Sequence, residues 1–185
     1  MNTAPRQYFP NQAWFGRPFY QVWIPVLLGV TVICCESQAV FGGSNTGRWL
    51  SQVWPAILGK VNTPFFGEIH HTLRKIGHVT GYGTLGLLFL QAWRRSVRIY
   101  MKMMGTRLGV AATMLAVSFT FLIGSLDEWH QSFIPGRTST STDVLIDTSG
   151  ALLFNLIFWL SRYLHRRSLL NNRVKRRSSL TPDYL

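Results

Sequence analysis

Between Ser125 and Gly150 the chain reads S-L-D-E-W-H-Q-S-F-I-P-G-R-T-S-T-S-T-D-V-L-I-D-T-S-G. Four of its seven acidic residues, Asp127, Glu128, Asp143 and Asp147, lie in this stretch, with His130 and Arg137 among them. Strongly apolar segments flank it on both sides. Asp147 falls inside the second of these, where a charge is costly without a partner. Asp127 and Gln131 stand one helical turn apart, as do Asp143 and Asp147, so each pair shares a helix face. Pro135-Gly136 supplies a turn that folds Arg137 back over the carboxylates. The guanidinium fork of Arg137 suits a carboxylate or a phosphate and makes it the expected counter-charge.

A second polar group precedes it. Glu68, His71, Lys75, His78 and Tyr82 are spaced 3, 4, 3 and 4 apart, which puts all five on one narrow helical stripe if a helix begins near Gly67. His78 and Tyr82 lie inside an apolar run, where a solvated helix end does not account for them. Gly77 and Gly81, on a neighbouring face, form a small-x-x-x-small pair that would let another helix approach closely.

Three chemistries fit these residues. In the first they form a pocket for an envelope ligand such as a lipid-linked phosphate, with Arg137, Lys75 and His78 holding the anion and Tyr82, Asp127, Glu128, Gln131, Asp143 and Asp147 completing the wall. In the second they are catalytic: Asp127 or Glu128 activates water, His130 or His78 transfers protons, and Arg137 stabilises an oxyanion or phosphoryl group. In the third they form only a structural charge network that locks helices together. The spacing matches no standard metal-ligand motif. No phosphate-cradling glycine loop or nucleophile elbow is present. No metal or other cofactor is expected.

The elements that carry these residues are apolar. Charged residues make up 14% of the 185, well below the roughly 25% of a soluble domain. The formal net charge is +12, but the basic residues sit in blocks between long apolar runs, which favours a bilayer partner over nucleic acid. The expected fold is all-α: a polytopic membrane protein with four transmembrane helices at about 20–41, 76–93, 108–126 and 144–160, each near the roughly 20 residues a bilayer requires. Pro25 is expected to kink the first, which reads as an uncleaved span. Ser141 or Thr142 is expected to cap the fourth. Trp49, Leu50, Val53, Trp54, Ile57 and Leu58 mark one face of an interfacial amphipathic helix, weakened by Pro55. Cys34 and Cys35, adjacent in an apolar run, are expected to be buried and inert. Residues 1–19 form an N-terminal arm, 20–161 the four-helix membrane domain and 162–185 a basic tail.

The loop 94–107 carries five basic residues and the tail seven, whereas the segment between the last two spans has only Arg137. The positive-inside rule therefore puts that loop, the tail and both termini in the cytoplasm of a multi-pass membrane protein. The tail is expected to bind anionic lipid. With this topology Glu36, Lys75, His78, Tyr82, the Asp127–Gln131 group, Arg137, Asp143 and Asp147 converge on the outer end of the bundle.

The pattern Lys75-x-x-His78-x-x-x-Tyr82, then Asp127-Glu128-x-x-Gln131-x-Phe133-x-Pro135-Gly136-Arg137, Ser141 and Asp143-x-x-x-Asp147-x-x-Gly150 resembles the VanZ-like family. The resemblance covers the last three spans, about half the chain, and residues 1–66 carry no part of it. It implies a polytopic bacterial membrane protein with that family's acid–Gln–Arg–Asp signature. The founding member is linked to resistance to the glycopeptide teicoplanin, and the resemblance supplies no molecular activity. Two departures stand out. Asp147 stands where the family often has Asn, which adds a negative charge and makes a cationic partner more necessary. Phe154 stands where a further small residue is common, which predicts altered packing of the last span.

Overall fold

The computed structural model describes residues 19–58, 63–135, 137 and 139–178. The N-terminal arm up to residue 18, Gly136 of the expected turn and the end of the basic tail lie outside the described residues. Five α-helices and a 3₁₀ turn, with no strand among the described residues, make the fold all-helical: α1 Phe19–Glu36, a 3₁₀ turn Ala39–Phe41, α2 Gly43–Leu58, α3 Thr63–Met101, α4 Gly105–Gln131 and α5 Ser141–Ser178.

Helix boundaries differ from the expected ones in instructive ways. The first apolar run is helical only to Glu36, and its last residues form the 3₁₀ turn. α3 runs unbroken for 39 residues, because Pro64 falls in its first turn, where a missing N–H costs nothing. The basic block after Trp93 contains no helix breaker either, so arginines expected in a loop continue α3. The reversal into α4 takes only Lys102–Met104, with Lys102 at φ 50° and Gly105 at φ 63°. Pro55 does not stop α2, which continues to Leu58. α5 is capped by Thr140, one residue before the expected caps: its hydroxyl accepts from the Asp143 N–H at 3.2 Å.

α3 is the central helix, packed most extensively against α5, then α4, then α1. The α3–α5 contact depends on small residues, but not on Gly77 and Gly81. A Cβ on Gly77 would meet nothing, and one on Gly81 only the end of Ile33. The close approach lies further along. A Cβ on Gly150 would stand 2.6 Å from the Val79 carbonyl oxygen, and one on Gly86 would stand 2.8 Å from the Ala151 Cβ. Gly83 leaves the room that the Phe154 ring fills, which is how the last span accommodates its bulky departure. On α4 the buried stripe is Gly109, Ala112, Ala116, Thr120 and Gly124, continuing into Glu128. Repeats of small residues every three or four positions let helix backbones approach without a hydrophobic driving force.

The interior holds Val26, Ile33, Tyr82, Leu85, Phe89 and Leu90. The outside is as apolar as the inside: Leu27, Leu28, Met114, Leu122, Leu126, Leu152, Leu156 and Leu160 are all exposed. α4 and the Ser141–Arg173 part of α5 are long and apolar enough to cross a membrane, and only 28% of each apolar window is buried. Water does not tolerate a continuous apolar surface of this kind; lipid does. α1 is a shorter apolar helix. Cys34 and Cys35 are free and exposed on it rather than buried, because they belong to this outer apolar face. On α2, Trp54 is buried against the Phe66 ring, with centroids 5.2 Å apart, whereas Trp49 and Val53 remain exposed.

Candidate functional site

α5 brings Asp147 to the middle of the bundle, where it is completely buried. Nδ1 of His78, on α3, donates to its Oδ1 at 3.0 Å. This is the only ion pair among the described residues. The other carboxylate oxygen, Oδ2, is buried without a hydrogen-bond partner. Gly124 of α4 faces the same group: a Cβ there would lie 3.6 Å from Asp147 and from Tyr82, so a larger side chain would displace one of them.

One turn further along α3, the Tyr82 hydroxyl donates to Asp127 Oδ2 at 3.0 Å. Gln131 Nε2 donates to the same oxygen at 2.8 Å, so the expected one-turn pair on α4 forms. The His78 and Tyr82 rings lie nearly parallel, 6.2 Å between centroids. His78–Asp147 and Tyr82–Asp127–Gln131 thus form two adjacent hydrogen-bonded groups joining α3, α4 and α5.

These groups border a cleft of about 380 Å³ whose polar lining includes Glu36, Arg74, His78, Tyr82, Asp127 and Arg137. Ser37, Phe41 and Thr46 form its rim from the α1–α2 side. Lys75, expected as the second cation, is exposed and absent from the lining; Arg74 takes that place. Arg74, His78 and Tyr82 follow i, i+4, i+8 spacing, each step turning about 40°, and the α3 face that lines the cleft is the one shared with Gly77 and Gly81, which leaves Lys75 beyond the Tyr82 edge of that arc. Glu68 and His71 are likewise exposed. Gly43 of α2 makes room for Arg74, since a Cβ there would stand 2.7 Å from a guanidinium nitrogen.

Arg137 does fold back over the cleft, but it forms no ion pair with a carboxylate. Its guanidinium donates to the backbone carbonyls of Glu36 and Gln38. The Glu36 carbonyl is left open where α1 ends, and a cation is favourable there; the Gln38 carbonyl also accepts the Phe41 N–H at 3.0 Å. Its Nε has no partner. Burial and the nearby Arg74 cation lower the Arg137 guanidinium from its ordinary value, while Asp127 and Glu128 act in the opposite sense.

Besides Lys75, and Asp147 buried behind His78, three further expected site residues stand apart from the cleft lining. Glu128 is buried, and its Oε2 accepts the Thr140 N–H at 2.9 Å while its backbone carbonyl accepts from the Ser139 hydroxyl. It therefore ties the entry of α5 to α4, with Oε1 unpartnered. His130 is exposed, with Nδ1 3.3 Å from the Ser37 hydroxyl beyond the end of α1. Asp143 sits in the first turn of α5, and its side chain is not part of the lining. Arg74 and Thr46 were not expected at all. Thr46 Oγ1 lies 3.0 Å from His70 Nε2, and that contact fixes α2 over α3. The 74-78-82 register was readable in the sequence; the pairing of α2 with α3 was not.

No curated protein and no solved structure gives a match to this chain. The VanZ/LLP1 family profile matches residues 21–162, reaching back over 21–66, which had shown no likeness to the family, and spanning every residue of the cleft. With most of its length matched, the chain belongs to the VanZ/LLP1 family.

Proposed function

We propose that this chain crosses the bacterial cytoplasmic membrane four times, with α1, α3, α4 and α5 as the spans and both termini in the cytoplasm. The membrane domain is then 20–161, the arm 1–19 and the tail 162–185. α3 and α5, at 39 and 38 residues, each rise nearly 60 Å. That is about twice the thickness of a bilayer core, so their arginine-rich ends project from it on the side the positive-inside rule makes cytoplasmic. α2 lies along the outer interface with Trp49 at headgroup depth.

On this topology the cleft opens outward, and we read it as a binding site for an anionic envelope ligand such as a lipid-linked phosphate. One observation carries the proposal: Arg74 and Arg137 line the same cleft, and neither is neutralised by a carboxylate among the described residues. A guanidinium at membrane depth without a fixed counter-ion is prepared for a mobile one. The carboxylate of Asp127, held by Tyr82 and Gln131, and that of Glu36 are then available to accept hydroxyl or amine donors on the rest of the ligand. The direct test is retention of a long-chain prenyl phosphate by the purified protein against the matching alcohol. The phosphate should be preferred at least tenfold, and Arg74→Gln should abolish the preference; equal retention of phosphate and alcohol refutes it.

A second reading has its own support. Asp147 engages Nδ1 of His78 and leaves Nε2 of the same ring, at the cleft wall, without a hydrogen-bond partner among the described residues, an arrangement suited to proton transfer. A hydrolase or transferase would consume the prenyl phosphate or its diphosphate rather than return it unchanged. A role in tolerance of glycopeptides such as teicoplanin would follow if the ligand is a cell-wall precursor, and is tested by comparing growth inhibition with and without the gene.

A further inference from the structure

The opposite end of the bundle holds a second group of cations. Arg94, near the end of α3, lies over two aromatic rings of α5 at once: its Cζ is 5.4 Å from the Phe158 centroid and 5.2 Å from that of Trp159. Arg162, one turn further along α5, approaches the same Phe158 ring at 5.7 Å. Trp159 is fixed in turn, because its Nε1 donates to Thr113 Oγ1 at 2.9 Å and its ring fills the space above Gly109 of α4. α5 and α4 therefore hold the aromatic floor on which these guanidinia rest.

Arg98 and Arg166 are close enough to Arg94 to act on its charge. Burial together with Arg162, Arg98 and Arg166 pushes the Arg94 guanidinium down to about 10. Its Nε is buried without a partner. The acids among the described residues, Glu36, Glu68, Asp127, Glu128, Asp143 and Asp147, are at the other end of the bundle or beyond it. Beside the guanidinia, Leu156, Ile157 and Leu160 present exposed apolar surface along α5. A ligand that satisfies both features carries a phosphate and has acyl chains.

We propose that the inner ends of α3 and α5 form a discrete site for the phosphodiester of an anionic phospholipid, held by Arg94 and Arg162 with Arg98 and Arg166 around it. The inference rests on the membrane reading above but not on the outward cleft. It differs from diffuse attraction of a basic tail in predicting a stoichiometric lipid whose retention depends on named arginines. The phosphate receives planar guanidinium donors backed by aromatic faces, and the chains lie on the apolar flank of α5.

The test is native mass spectrometry of the detergent-purified full chain, reconstituted with phosphatidylglycerol or phosphatidylcholine. Phosphatidylglycerol should remain bound one to one and at least tenfold more than phosphatidylcholine. Arg94→Gln and Arg162→Gln should each reduce its retention about tenfold, whereas Arg167→Gln and Arg173→Gln should change it less than twofold. Arg162 is exposed, so its variant reports even if Arg94→Gln fails to fold. Millimolar inorganic phosphate should not displace the lipid. Equal retention of the two lipids, equal effects of all four variants, displacement by inorganic phosphate, or preferential binding of an oligonucleotide would overturn the proposal. Loss of the bound lipid on Arg74→Gln but not on Arg162→Gln would also overturn it, by locating the lipid in the outward cleft.

Discussion

Removing the imidazole of His78 leaves Asp147 with no hydrogen-bond partner. Oδ1 loses its 3.0 Å bond to Nδ1, Oδ2 already has none, and the side chain has no access to solvent. Breaking a buried pair from one side costs about 3–5 kcal/mol, because the remaining charge is uncompensated. Asp147→Asn is different: the amide oxygen still accepts from Nδ1 and the buried charge is gone, so the expected loss is under about 1 kcal/mol. His78→Ala should therefore be severe with Asp at position 147 and mild with Asn there, a coupling of at least about 2 kcal/mol. Thermal unfolding in one detergent, for the four members of this cycle, provides the assay. For a chain of this length the Asp-background loss corresponds to roughly 6–20 °C in Tm, and introducing Asn should recover most of it. If His78→Ala costs the same in both backgrounds, Asp147 carries no uncompensated charge and the pair is not what joins α3 to α5.

Gly150→Ala puts a Cβ 2.6 Å from the Val79 carbonyl oxygen; overpacking of this kind costs about 1–3 kcal/mol, read as reduced folded yield, whereas Gly77→Ala, facing open space, should be neutral. Arg137→Ala should expose the end of α1 to faster backbone hydrogen exchange at 37–42, and Arg137→Lys should recover only part of the protection, since one ammonium replaces a fork reaching two carbonyls. Burial, with the Arg74 charge, lowers the His70 imidazole. The unfolded chain therefore binds more protons between the folded value and about 6.5, so this contribution to stability is complete above that pH and is lost as pH falls through the window. The protection factors of α2 amides, that is exchange corrected for its intrinsic pH dependence, should fall between pH 7.5 and 5.5, and His70→Gln should remove that fall. A topology reporter fused after residue 100 should read cytoplasmic and one near Pro135 external; the reverse would place the cleft on the wrong side for an envelope ligand.

The sequence made the helical class and the polar cluster legible, since carboxylates inside apolar runs have few explanations. His78, Tyr82, Asp127 and Gln131 were identified by spacing alone, and all four line the cleft. Arg74 takes the place expected of Lys75 because the inward face of α3 is centred toward Gly77 and Gly81, and the stripe through Lys75 only grazes it at His78 and Tyr82. The role of Arg137 was misread for another reason. Its partners are main-chain carbonyls at the end of α1, and backbone acceptors have no signature in residue types. Gly77 and Gly81 were assigned to helix packing because they are small, while Gly83, Gly86 and Gly150 perform that role. Small residues mark where backbones can approach, and only the partner helix decides where they do.

The central claim is that the outward cleft holds an anion between Arg74 and Arg137. It is tested most directly with a prenyl phosphate carrying a photoreactive group, cross-linked in native membranes and mapped by peptide mass spectrometry. The account predicts adducts on the cleft rim, at Ile33, Phe41 and the Gly77–Gly81 turn of α3, competed by unlabelled prenyl phosphate and lost in Arg74→Gln. Adducts at the arginine-rich ends of α3 and α5, or rim adducts unchanged by Arg74→Gln, would contradict it.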